Sequence, residues 1–199
     1  MTDSPPGGRR ADVGVYGGSG LYTLLDDVEE VVVDTPFGPP AAPITIGEVA
    51  GRRVAFVPRH GRHDTLPPHR GRYRANAWAL RELGVRAIYG PCASGSLRAE
   101  MAPGDFVVPD QIVDRTAGRS SSFHDGPESA PGIAPVDHLT FADPYDDQLR
   151  TVAVAACRAE GVTVHEGGTV VVIEGPRFST RAESRWYAAQ GWEVINMTQ

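Results

Sequence analysis

The residues of this chain best suited to chemistry are Arg59 and His60, which directly follow the apolar run Val54–Val57. An arginine at the end of a strand suits bidentate recognition of a phosphate or a carboxylate. Alone, the pair would more often be a surface feature. His63 and His69 follow in the same loop, but no carboxylate or cysteine completes a convincing ligand set. We therefore predict an anion site and no metal.

Two loops of small residues add backbone donors. Gly17-Gly18-Ser19-Gly20 and the segment Cys92–Leu97 each follow an apolar run. Glycines and small side chains let backbone N–H groups approach an anion closely. The first loop lacks the third glycine of a dinucleotide fingerprint and the Gly-Lys-Ser/Thr of a P-loop. Ser94 lacks the G-x-S-x-G elbow, so covalent serine catalysis is not predicted.

A third polar loop, Glu174–Ser179, lies between an apolar run and a helical pattern that opens with Thr180-x-x-Glu183. That spacing is typical of a capping box. Phe178 can stack on a planar ring, while Ser179 is predicted to be the helix N-cap, a ligand contact, or both. With Asn196-Met197-Thr198 at the end of a further apolar run, the loops suit a small anion beside a polar organic ligand.

The elements that position these loops alternate along the chain. Apolar, β-branched runs predict strands at Val13–Tyr16, Val31–Val33, Val54–Val57, Ala87–Tyr89, Phe106–Val108, Thr169–Ile173 and Glu193–Ile195. Helical patterns cover Tyr73–Leu83, Asp146–Glu160 and Ser179–Gln190. This alternation predicts an α/β sandwich. The irregular stretches Gly61–Gly71 and Ala117–Asp143 are long for a compact domain. The second contains His138, so we expect it to face a ligand or a neighbouring subunit.

Composition narrows the class of protein. The chain has 199 residues, 41% of them hydrophobic and 22% charged, with a net charge of −6, which is ordinary for a globular protein and argues against a nucleic-acid partner. No apolar stretch approaches the ~20 residues of a membrane span. The two cysteines stand apart in the sequence, which favours a reducing, cytoplasmic compartment. Residues 1–12 are polar and predict a disordered leader.

The ordered set of loops resembles the trimeric purine nucleoside phosphorylase family, and within it the 5′-methylthioadenosine phosphorylase branch. The likeness runs from about Val13 to Thr198. Further matching segments are Asp34–Gly38, Asn76–Leu80, Pro103–Asp105 and Asp110–Thr116. The fold implied by the resemblance is a single-domain, three-layer α/β sandwich over residues 13–199, with a central mixed sheet.

The activity implied by the resemblance is phosphorolysis: phosphate attacks the anomeric carbon of 5′-methylthioadenosine and releases adenine and 5-methylthioribose 1-phosphate. Phosphate is a co-substrate, and no cofactor is expected. The phosphate ligands carried over are Ser19, Arg59, His60, Ala93 through its backbone, and Thr198. The substrate contacts carried over are Phe178 and Ser179 at the base, Met197 at the ribose and His138, which closes the methylthio pocket of a neighbouring subunit in a homotrimer.

Substrate choice is expected to turn on position 179. In the loop that contacts the base, the 6-oxopurine branch is expected to resemble Phe-Glu-Thr. This chain has Phe178-Ser179-Thr180 at the same place. Gly95-Ser96-Leu97 is also similar to the methylthioadenosine branch. A 6-aminopurine nucleoside is therefore expected, and a purine nucleoside phosphorylase acting on 6-oxopurines is the alternative. Cys92 stands where the family is expected to have a threonine, so a hydroxyl contact to phosphate is lost.

One expected part of the family pattern lies outside these 199 residues. Family members continue past Asn-Met-Thr into a section that holds the aspartates thought to protonate the purine N7 and to bind its amino group. General acid catalysis typically contributes ~10²–10⁴-fold, so the resemblance implies that residues 1–199 alone are weak or inactive. A catalytically dead phosphate- and nucleoside-binding fragment is therefore a further alternative.

Overall fold

The computed structural model of this chain describes residues 10–17 and 28–199. The chain divides into two compact units. The first contains the described residues up to Pro91 together with Arg119–His138, and the second contains Cys92–Gly118 and Leu139–Gln199. The predicted leader and most of the first glycine loop, Ser19 included, lie outside the described residues.

The first unit is built on a mixed five-stranded sheet. Its strands are β1 (Val13–Gly17), β2 (Glu29–Val31), β3 (Ile44–Val49), β4 (Arg52–Pro58) and β5 (Ala87–Tyr89). They lie in the order β2-β3-β4-β1-β5. β1 is parallel to both β4 and β5, while β3 is antiparallel to β2 and to β4. Parallel pairing of β1 with β4 brings the ends of both strands to one edge, where Gly17 lies opposite Pro58.

Among the described residues, one helix and three short 3₁₀ turns complete this unit. Helix α1 spans Tyr73–Glu82, as predicted to within one residue. The turns are Arg62–Asp64, Pro68–Arg70 and Gly126–Glu128. The core contains Ile44, Ala55, Val57 and Leu80, all fully buried or nearly so. The apolar residues of β4 and α1 therefore bury each other, as their sequence patterns predicted.

The second unit contains two sheets and two helices. Its strands are β6 (Gly95–Ser96), β7 (Phe106–Val108), β8 (Gln111–Arg115), β9 (Val164–Glu166), β10 (Thr169–Ile173) and β11 (Val194–Asn196). A mixed sheet has the order β6-β11-β10-β8, and β7 pairs separately with β9. Helix α2 spans Asp147–Ala159 and helix α3 spans Arg181–Ala189. The α/β class with a mixed sheet is thus confirmed.

Strand β10 organises the core of the second unit. Val170 and Val172 pack with Val194 on one face, while Val171 and Ile173 pack with Tyr187 of α3 on the other. A strand buried on both faces is continuously apolar instead of alternating. The polar loop that follows β10 therefore starts from a fixed point.

The start of α3 confirms one sequence prediction and corrects another. Thr180 is the N-cap, its hydroxyl accepts a hydrogen bond from Glu183 N at 3.2 Å, and the Glu183 side chain accepts from Thr180 N at 2.6 Å. This is the predicted capping box. The alternative assignment of Ser179 as the cap is wrong, because its hydroxyl bonds that of Ser184 at 2.7 Å.

The two long stretches without predicted elements contain only the short 3₁₀ turns given above. No helix among the described residues combines the length and the apolar character that a membrane span requires.

Candidate active site

Arg59 is a charged residue that is buried in the first unit. It follows β4 directly, its backbone N–H donates to Gly17 O at 3.2 Å, and only 8% of the residue is exposed. Its Nη2 donates to Pro91 O at 2.8 Å, and its Nε donates to His60 Nε2 at 3.4 Å. The remaining N–H groups have no partner, and no carboxylate pairs with the guanidinium, among the described residues. A buried cation without a carboxylate partner is costly, so the surroundings that the described residues give Arg59 suit an anion.

His60 is held in one tautomer by its two contacts. Its Nδ1 lies 3.1 Å from Leu66 O, and because a carbonyl only accepts, Nδ1 carries the proton. Its Nε2 accepts the hydrogen bond from Arg59 Nε. The imidazole therefore contacts both the Leu66 carbonyl and the neighbouring guanidinium, whose orientation it helps to fix. The two predicted site residues are thus in contact, and His60 holds the side chain of Arg59 in place.

Gly17, at the end of β1, leaves no room for a side chain. A Cβ atom built there would lie 2.0 Å from the Phe56 ring. Glycine is therefore required at this point for packing. Ser19, a predicted phosphate ligand, lies outside the described residues.

The second unit places Ala93 and Thr198 in neighbouring segments. Thr198 Oγ1 donates to Cys92 Sγ at 3.4 Å, and Cys92 directly precedes the exposed Ala93. Strand β6, which continues this loop, pairs antiparallel with β11, which leads into Thr198. The Cys92–Leu97 loop and the Asn196–Thr198 segment are thus joined side by side, and the prediction that both belong to one site stays a prediction.

Asn196 belongs to the polar segment that the sequence analysis singled out, but its contacts were not predicted. It is only 7% exposed, and its Nδ2 donates to Ser94 Oγ at 3.3 Å and to Gln199 Oε1 at 3.4 Å. Its Oδ1 accepts from Gln199 N at 3.4 Å. A buried amide at the end of a strand was the available signal, because buried polar groups are nearly always bonded. Asn196 holds the two segments at a fixed separation.

The Glu174–Ser179 loop presents an aromatic ring to solvent. Phe178 is 85% exposed, and its stacking on a ligand stays a prediction. Glu174 Oε2 accepts from Ala117 N at 2.8 Å, which fixes the start of the loop. A cavity of about 220 Å³ lies beside it, with Arg115, Arg177 and Tyr187 among its lining residues.

A salt bridge fixes the end of this loop. Arg177 Nη1 and Nη2 each lie 2.8 Å from a Glu183 carboxylate oxygen, a bidentate geometry. The hydrogen bonds to Glu183 from Arg177 and from Thr180 N, in that order, lower the pKa of this carboxyl from 4.5 to about 2. The sequence predicted the cap but not its arginine partner.

Met197 and His138 have contrasting surroundings. Met197 is half-buried and packs against the cluster of Val171, Ile173 and Tyr187. His138 is exposed and is followed by Leu139, which is 72% exposed. The expected roles of both residues toward a substrate stay predictions.

Residues 12–199 match the family model described as "Phosphorylase superfamily", and the chain belongs to that family. This confirms the resemblance on which the sequence predictions rested.

Two relatives show which members of the family the chain is similar to. The chain is 57% identical over 190 residues to purine nucleoside phosphorylase of Streptomyces coelicolor, covering 95% of this chain and 68% of the relative. It is 54% identical over 187 residues to S-methyl-5′-thioadenosine phosphorylase of Mycolicibacterium smegmatis, covering 94% and 67%. The chain thus spans about two thirds of the length of these relatives.

The structural likeness agrees with the sequence. Methylthioadenosine phosphorylase from Schistosoma mansoni, in its apo form, superimposes with a TM-score of 0.89 at 37% identity, covering 95% of this chain and 73% of that chain. The same Schistosoma protein has been solved in complex with adenine and with tubercidin. The predicted nucleoside phosphorylase-like fold is confirmed.

Proposed function

We propose that this protein catalyses the phosphorolysis of 5′-methylthioadenosine to adenine and 5-methylthioribose 1-phosphate. The bond between C1′ and N9 breaks and its electron pair leaves with adenine, which takes up a proton, while a phosphate oxygen forms the new bond to C1′. Family membership and the relatives named for this reaction support the proposal. The structural observation that carries it is the buried guanidinium of Arg59, which has no carboxylate partner among the described residues.

The phosphate subsite is assigned to Arg59 and His60, with Ala93, Thr198 and Ser19 as further ligands. Arg59 supplies the charge, and His60 sets the orientation of the guanidinium. The transition state resembles an oxocarbenium ion, so a fixed anion beside C1′ stabilises the positive charge that develops there. Holding the nucleophile in place also removes an entropic part of the barrier. The assignment includes no metal, no cofactor and no covalent intermediate.

The nucleoside subsite is assigned to Phe178 and Ser179 at the base and to Met197 at the ribose. The exposed ring of Phe178 is available for stacking, and its large apolar surface would be covered by a purine. Small-molecule nucleoside and phosphate are thus the partners of this site.

A second candidate activity is phosphorolysis of 6-oxopurine nucleosides. The observation that favours it is the Streptomyces coelicolor relative, which carries the name purine nucleoside phosphorylase. The residue that separates the two candidates is Ser179. An introduced Ser179→Glu should shift relative activity from adenine-containing toward hypoxanthine-containing nucleosides, because a carboxylate can read the N1–H edge of an oxopurine. Ser184→Ala, which removes the hydroxyl partner of Ser179, is the control and should leave the ratio unchanged.

The experiment that tests the proposal follows adenine release from 5′-methylthioadenosine with and without phosphate, with inosine in parallel. Phosphate-dependent adenine release with little hypoxanthine supports the proposal, and the reverse ratio supports the second candidate. Stabilisation by phosphate or adenine without any turnover would instead indicate the binding protein considered as an alternative. No response to either ligand would refute all three functions.

We also propose a cytoplasmic homotrimer in which His138 faces the nucleoside pocket of a neighbouring subunit. The exposed apolar residues around it, Val136, Leu139 and Phe141, are consistent with a surface that becomes covered. Sedimentation should give three times the chain mass, and Leu139→Asp should reduce it. A monomer with full activity would contradict the assembly.

A further inference from the structure

The carboxylate of Glu183 binds both ends of the segment 177–180. Glu183 accepts from both terminal nitrogens of Arg177 and, at 2.6 Å, from Thr180 N. Arg177 Nη1 also donates to Phe178 O at 3.0 Å. The peptide that carries Phe178 is therefore fixed from both sides, although its ring remains 85% exposed.

An exposed aromatic ring on a fixed backbone is a preorganised surface. A loop of this kind, tied only at its ends, would have to be ordered when a ligand binds, and that ordering lowers affinity. Here the loop is tied along its length as well, because Glu183 bonds both Arg177 and Thr180 N. The carboxylate also belongs to helix α3, whose Tyr187 is buried against β10, so the loop takes its position from the core.

We propose that Arg177 and Glu183 are positioning residues for the nucleoside: they hold the Phe178 ring in the orientation in which it stacks on a purine. They act through Phe178 and make no contact with phosphate. This inference rests on the proposed function and adds two residues to it. Its distinctive consequence is a selective loss of affinity for the base, with phosphate affinity unchanged.

The test uses Glu183→Gln and Arg177→Met, made separately and together. Glutamine keeps an oxygen to accept from Thr180 N but loses the charged bidentate pair. Calorimetry measures the Kd for adenine in the presence of phosphate, and separately the Kd for phosphate. Each single variant should weaken adenine binding about three- to tenfold, the size of one aromatic stacking contact, and the double variant should be no weaker than either single one because the pair acts as a unit.

A matched control separates this role from a general loss of surface ion pairs. Arg158 and Glu166 form another exposed pair of the second unit, at 2.9 Å. Arg158→Met and Glu166→Gln should leave both dissociation constants within about twofold, as expected of an ordinary surface pair.

The decisive comparison repeats Glu183→Gln in a Phe178→Ala background. If Glu183 acts through the ring, the second substitution adds less than about twofold. Full additivity with Phe178→Ala, or an equal loss of phosphate affinity, would overturn the positioning role. Absence of adenine and 5′-methylthioadenosine binding by the unsubstituted chain would refute the proposed function itself. Circular dichroism establishes that each variant is folded, and Arg177→Met gives an independent answer if Glu183→Gln is not.

Discussion

Replacing Arg59 with methionine should make the protein more stable and unable to bind phosphate. Only 8% of the residue is exposed, and no carboxylate among the described residues compensates its charge. An uncompensated buried charge costs several kcal/mol. The substitution gives up the hydrogen bond to Pro91 O, which is worth about 1 kcal/mol. The first effect is larger, so methionine, of similar length, should raise the Tm in the absence of phosphate.

The same substitution should abolish stabilisation by phosphate. A ligand present at a hundredfold excess over its Kd contributes about 2.7 kcal/mol, which corresponds to a rise in Tm of about 5–11 °C for a chain of this size. Arg59→Met should reduce this rise to within error. Turnover should fall by about 10²–10³-fold, equivalent to about 2.7–4 kcal/mol for one preorganised donor.

The assay is thermal unfolding at a series of phosphate concentrations, with adenine release measured on the same samples. Arg62→Met is the matched control, since Arg62 lies in the same loop but is exposed and paired with Glu30. It should change the Tm little, because surface pairs contribute about 0–1 kcal/mol. A lower Tm for phosphate-free Arg59→Met, or an undiminished response of that variant to phosphate, would refute the reasoning.

Further predictions concern the residues that support the site. In an Arg59→Lys background, His60→Gln should raise the KM for phosphate by less than about a further twofold, because His60 acts through the guanidinium. If the two substitutions instead multiply their effects on this KM, His60 contacts phosphate directly. Asn196→Asp should raise the KM for phosphate about five- to tenfold, since it loses a donor to Ser94 and adds a negative charge, while the KM for nucleoside stays within twofold; equal changes would contradict this role. The pKa of Glu183 is about 2, below its usual 4.5. Its contribution to stability is therefore complete above pH 4.5 and is lost as the pH falls toward 2. Glu183→Gln should flatten this part of the curve of Tm against pH, and an unchanged curve would show that the stabilisation arises elsewhere.

Helices and buried strands were predictable because their signals are local. Helix α1 follows an apolar periodicity, and α3 starts at a capping box within four residues. Strand β10 is continuously apolar because both of its faces are buried. In each case the residues that determine the element lie within it.

The strands that sequence reasoning missed depend on their partners. β8 has polar residues at both ends and is defined by its parallel pairing with β10, in which Thr169 lies opposite Gln111. β3 contains Gly47 and Glu48 and pairs antiparallel with β4. The strand predicted at Val31–Val33 instead ends at Val31, where the pairing with β3 stops. Strand preference depends on such tertiary context more than on intrinsic propensity.

The residue types of the site were predictable, but their physical states were not. Arg59 and His60 stand together in the sequence. The burial of the first and the tautomer of the second depend on carbonyl groups of Pro91 and Leu66. Likewise, the partnership of Arg177 with Glu183 crosses the start of a helix. These contacts appear only when the loops are folded.

The packing of Gly17 under the Phe56 ring has a consequence for how this protein can vary. Because a Cβ at position 17 would overlap the ring at 2.0 Å, an alanine there becomes admissible only when position 56 carries a smaller side chain. The two positions form a compensating pair, in which either change alone is harmful and the two together restore the packing. A mutational library of this edge should therefore yield substitutions at 17 only alongside substitutions at 56, and the tolerance of position 17 would be set by a residue of the neighbouring strand.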